Sequence, residues 1–191
     1  MKEQHDDGSL TEAPEVAPFY AVRFLERQEL GTAYPAVASR LAGIVGKLER
    51  DLPDARLSLV MDSTGVGLPV VEMVRDALKG SRCRVTGAVL TGSERMDGSV
   101  GRREIRLGKL HLVSTLQALL QQARIGLPRT AEAGHLAKEL LDFDLRVNEN
   151  TNLINGAFRT GAHDDLVVAL GLSLLEKPGA GEVGLGPAVW H

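Results

Sequence analysis

Residues 56–80, RLSLVMDSTGVGLPVVEMVRDALKG, hold a strand, a turn and a helix in succession. The run 56–62 is short and mostly apolar, as a buried central strand is. STGVG at 63–67 turns the chain. The apolar spacing after it predicts a helix over 68–80, closed by Gly80. This unit belongs to an α/β fold. Its strand ends on Asp62, where open α/β sheets bind ligands. The same position also suits an acid that caps the next helix or accepts nearby backbone N–H groups. Gly65-Val66-Gly67 is not a dinucleotide fingerprint, because Val70 stands where the third glycine belongs and Asp62 would repel a pyrophosphate. The two glycines are read instead as serving the turn and a close approach of helix to sheet.

Outward from this unit the alternation continues. FYAVRFLERQEL (19–30) predicts a half-buried strand. The next stretch, to residue 50, predicts a helix with Thr32 as N-cap and Pro35 in the first turn. Residues 83–90 predict a strand, 91–109 a polar loop or hairpin, and 109–125 a helix leading into a short extended piece. A helix over 131–143 and a strand and turn over 144–158 follow, with a last helix from near His163 to Glu176. The expected organisation is one α/β domain over residues 19–176. Flexible ends are expected at 1–18 and 177–191, where glycine, proline and polar residues replace periodicity.

The totals bound the function. The chain has 191 residues, 43% of them hydrophobic, enough for one full core. Its 22 basic and 25 acidic residues nearly balance, so a nucleic-acid surface has to be local. A single cysteine, Cys83, excludes an intrachain disulfide and fits a reducing, cytoplasmic setting. No apolar run reaches the ~18–20 residues of a membrane span, and aromatics, at 4%, are too few for base-stacking platforms.

Two further features bear on chemistry. GAHDDLVVALGLSLL (161–175) places Asp164 and Asp165 before an almost wholly apolar helix, which is expected to be buried nearly all round. The helix dipole favours an acid there by about 0.3–1 kcal/mol. It explains a pair less well, because successive helical residues point ~100° apart. A divalent cation accounts for both acids, and hard oxygen ligands suit magnesium or manganese. His163 is either a donor to such a ligand or a surface histidine. Arg102, Arg103, Arg106 and Lys109, with Arg95 upstream, form a local basic cluster. It reads either as a phosphate-contacting patch or as a solvated loop.

MDSTGVGLPVVEMV and GAHDDLVVALGLSLL, about 100 residues apart, resemble the C-terminal nuclease domain of phage terminase large subunits, the DNA-packaging motors. FLERQELGTAYPAVASRLAGIV and LGKLHLVSTLQALLQQARI fit the same pattern, so the resemblance covers roughly residues 19–176. It implies an RNase H-like mixed sheet flanked by helices. It also implies a double-stranded DNA substrate and two Mg2+ or Mn2+ ions held by acids. Asp62 and Asp165 would be catalytic and metal-binding, Asp164 an auxiliary metal ligand and Lys109 a phosphate contact. In such sites one ion activates water and the other stabilises the leaving oxygen.

The chain departs from that pattern in two places. The family's first core strand, with its acid, is not found; Asp6 and Asp7 follow nothing apolar and are not assigned to the site. No phosphate-binding loop of an ATPase occurs either. The expectation is therefore a partial terminase nuclease domain in a phage or prophage setting, in the host cytoplasm. Its expected partners are DNA and a terminase ATPase subunit, small terminase or portal. Losing a core strand exposes sheet edges, so self-association is expected unless something covers the gap. The alternatives are an inactive RNase H-like module that binds DNA or a packaging partner, and a sibling enzyme such as a Holliday-junction resolvase.

Overall fold

The strand at Arg56–Asp62 forms as β2 (Ser58–Asp62), and its turn leads into α2 (Gly67–Ala77). The computed structural model describes residues 17–93, 95–142, 145–148, 153–156 and 165–176, with side chains outside 142–156. Before β2 lie β1 (Tyr20–Ala21) and α1 (Tyr34–Asp51). After α2 come β3 (Arg84–Thr91), β4 (Met96–Asp97), β5 (Glu104–Gly108), α3 (Lys109–Gln121), β6 (Ile125–Gly126) and α4 (Ala131–Asp142). The hairpin β7 (Leu145–Asn148) and β8 (Leu153–Gly156) precedes α5 (Asp165–Ser173).

A mixed four-stranded sheet runs in the order β2-β3-β5-β4. β2, β3 and β5 are parallel, and β4 closes one side antiparallel to β5. Alternation along the strands sends side chains to two helical layers. Leu59, Met61 and Val85 pack with Ala38 and Val45 of α1 and Val74 of α2. Val60, Ala88, Ile105 and Leu107 pack with Leu112 of α3 and Leu172 of α5. A third cluster joins α3, α4 and α5 through Leu116, Leu136 and Val167, with Tyr20, Val22 and Leu25 against it. Fully burying one such side chain stabilises the fold by about 1.5–3 kcal/mol.

The α/β class stands. The buried central strand expected at 56–62 is instead the end strand of the sheet, with its side chains only partly buried, and two further local expectations are corrected. Only Tyr20–Ala21 of the expected strand 19–30 pairs, in parallel with β6. Beyond Val22 the segment leaves that ribbon and is held by side-chain ion pairs instead, such as Arg40–Glu26. The polar loop or hairpin expected over 91–109 is a hairpin of β4 and β5, and β5 is an inner strand because Ile105 and Leu107 alternate with Glu104 and Arg106 and are buried. The N-cap of α1 is Ala33, with proline in the first turn. Thr32 instead donates its hydroxyl to the Glu29 carbonyl at 2.6 Å. No described helix is long and apolar enough to cross a membrane.

Candidate functional site

Asp62 is the last residue of β2, and backbone on two sides fixes it. The Ser63 N–H donates to the Ala88 carbonyl at 2.9 Å, and the Leu90 N–H donates to Thr64 Oγ1 at 2.9 Å, stitching the turn to β3. Gly65 has φ 59°, a left-handed conformation that glycine adopts without strain. At Gly67 a Cβ would overlap the Asp62 carbonyl oxygen, so only glycine lets α2 start this close to the strand. Both glycines thus serve the turn and the close approach. The exposed Asp62 carboxylate accepts the Thr64 N–H at 2.8 Å, which leaves its second oxygen for other partners. The Ser63 hydroxyl, on a residue only 5% exposed, meets no partner among the described residues.

Asp165 opens α5, where the helix dipole favours its charge. Arg27 reaches it at 2.7 Å and also pairs with Glu139 of α4. Glu139 is 9% exposed, and its Oε2 accepts the Leu166 N–H at 3.0 Å, satisfying a first-turn donor of α5. An acid from another helix therefore anchors the end of α5 that carries Asp165. Arg27 bridges the two carboxylates and offsets one of their two negative charges.

Asp62, Asp165 and Lys109 line one groove of about 960 Å³ that runs between α1 and α5 along β2. At its rim, the hydrogen bond and charge of Arg40 hold the Glu26 carboxyl below the ordinary carboxylate range, and Glu26 raises the Arg40 guanidinium in return. Arg102, Arg103 and Arg106 do not line this groove. Arg103 pairs with Glu72 of α2 at 2.5 Å, while Arg102 and Arg106 are exposed. The basic cluster is thus divided, with Lys109 alone at the groove. Asp164, His163 and both chain ends (1–16 and 177–191) lie outside the described residues.

Sequence reasoning missed Arg27 and Glu139. The signal for Glu139 was present: in HLAKELL it sits three positions after Leu136, on the stripe that α4 buries. An acid on such a stripe calls for a partner. Chemically, the groove is lined by four carboxylates (Glu26, Asp62, Asp165 and Glu176), two guanidiniums (Arg40 and Arg56) and the Lys109 ammonium. These are hard oxygen donors for a divalent cation and cations for phosphate. Among the described residues, no group of three acids, histidines or cysteines is close enough to hold a metal ion.

No family model matches the chain, and no curated protein or solved structure matches it.

Proposed function

We propose that the chain is the RNase H-like, metal-dependent DNA endonuclease domain of a phage-type packaging terminase large subunit, present in part. One observation carries the reading. Asp62 and Asp165, far apart in sequence, line the same groove together with Lys109. Asp62 stands at the carboxyl end of a parallel strand, where α/β sheets recruit ligands, and Asp165 at a helix N-terminus that favours an anion. The oxygen donors suit Mg2+ or Mn2+ in kind. Asp62 and Asp165 would hold the ion, with Asp164 adjacent in sequence, and the ion would supply Lewis-acid polarisation of a phosphate oxygen. Lys109 would hold a phosphate of double-stranded DNA by charge. For Asp165 to take a cation, Arg27 has to release it and keep Glu139 alone.

A second reading has its own support. Both acids already have structural partners: Asp62 the Thr64 N–H, and Asp165 the Arg27 guanidinium. That arrangement suits an inactive module that binds DNA or a packaging partner, with the acids kept for folding. Nicking of supercoiled plasmid in manganese separates the two. Nicking by the purified chain, abolished in Asp62→Asn, supports the nuclease. A folded chain that binds DNA in a salt-sensitive way without nicking it supports the second.

A further inference from the structure

The four-stranded sheet is open along β2. Ser63 N–H and Leu57 C=O both bond to β3, so the odd-numbered residues of this strand face that partner. N–H and C=O of one residue point the same way in a strand and alternate from residue to residue. The backbone groups of Ser58, Val60 and Asp62 therefore face away from β3, toward the groove. β2 is the end strand of the sheet, with no strand on that side among the described residues.

The surroundings are those of an inner strand. Leu59, Val60 and Met61 are apolar on both faces, as buried parallel strands are, yet none is fully buried. α1 walls one side of the groove with Val37, Leu41 and Ile44. On the other side α5, apolar nearly all round, leaves Val168 half-buried and Ala169 exposed toward the groove. Phe24 at the mouth is 58% exposed. A slot walled by apolar side chains of α1 and α5, with a row of backbone groups at its base that meet no strand among the described residues, matches one ligand form. That form is an extended chain with apolar side chains on both faces.

We propose that this groove takes up an apolar β-strand from a separate polypeptide, which adds to β2 and completes the sheet. Such strand addition draws affinity from main-chain hydrogen bonds and specificity from side-chain pockets. Five residues, about 17 Å, match the length of β2. Residues 1–16 are chemically unsuited, with five acids and no two adjacent apolar residues. A second copy is also unsuited, because the walls formed by α1 and α5 keep two β2 edges from meeting. The proposal rests on the sheet edge and the apolar walls of the groove, and holds whether or not the chain cuts DNA.

The test uses the full chain and the peptide acetyl-KVIVIVK-amide, with binding followed by fluorescence anisotropy and amide exchange by NMR. Without peptide, the Ser58 and Val60 amides exchange fast while Leu59 and Met61 are protected. With peptide, Ser58 and Val60 slow by about tenfold or more. Val60→Pro removes an N–H that faces the groove and no bond to β3. Ala169→Trp fills the slot from the α5 side without touching β2. Each weakens peptide binding by more than about tenfold, with Leu59 and Met61 still protected. Three results overturn the proposal: no peptide uptake, slow exchange at Ser58 and Val60 in the chain alone, or uptake unchanged in both variants.

Discussion

The sheet has two dissimilar edges. At one, β4 is two residues long, antiparallel and half polar, and it lies over β5, whose Ile105 and Leu107 are 2% and 0% exposed. At the other, β2 is five residues long, parallel and apolar, and its side chains stay only partly covered. Natural sheets blunt an edge by shortening it, charging it or turning it away. The β4 side follows that rule. The β2 side does not; it keeps an inner strand's composition at the margin, and ion pairs add to its partial burial in holding the neighbourhood together.

The sharpest way to break this comparison is to make the same change on both sides. Leu107→Ala should cost about 4 kcal/mol and Leu59→Ala about 2 kcal/mol in urea unfolding, since truncation cost rises with burial. Equal losses would mean the two edges are equally packed. A bound strand would raise the Leu59 cost toward that of Leu107.

Next in size is the ion network of the open side. Arg27→Met leaves Glu139, 9% exposed, without its cation and should cost about 1–2 kcal/mol, a discounted value because Arg27 itself is partly exposed. Urea unfolding at low and high salt would show it. An unchanged midpoint would mean that packing alone holds residues 22–28.

A smaller effect concerns the wall of the groove. Glu49 of α1 accepts the Ser81 hydroxyl at 2.8 Å and the Arg82 N–H at 2.6 Å, tying α1 to the approach of β3. The Ser81 bond first, then Arg82, holds its carboxyl below the ordinary value of 4.5. A lowered carboxyl contributes stability that is full above the unfolded-state value and fades as pH falls through the folded one. Thermal melts from pH 6 to pH 3 should therefore decline less in Glu49→Gln than in wild type. Parallel declines would remove Glu49 from the acid limb.

The smallest effect is kinetic. Burial, and then the negative charges of Glu49 and Glu176, push the Cys83 thiol up from its ordinary value. Alkylation by iodoacetamide at about pH 8 should run several-fold slower than for a free thiol, because the thiolate is the nucleophile. Alkylation at the free-thiol rate would show that the covered face opens readily.

Much of this architecture was legible in the residues. The unit from Arg56 to Gly80 was readable because apolar clustering, an acid and two glycines all pointed the same way. β5 was not. Its Glu104-Ile105-Arg106-Leu107 alternation is short and lies among arginines, so the charge pattern outweighed the period-two signal. The segment after Val22 misled in the opposite direction: it alternates well but finds no strand partner among the described residues. At the site, Asp62 and Asp165 were readable from their place at a strand end and a helix start. The bridge from Arg27 was not, because a contact between residues 138 apart leaves no local trace.

That bridge also sets a timetable for synthesis. Arg27 and the apolar residues around it leave the ribosome long before Asp165. At about 5–20 residues per second the interval is roughly seven to thirty seconds. Until α5 emerges, Val22 and Leu25 lack the Leu166, Val167 and Leu170 face of their cluster. The early segment therefore waits on the late helix, and a nascent chain holds that face of the cluster uncovered throughout the interval.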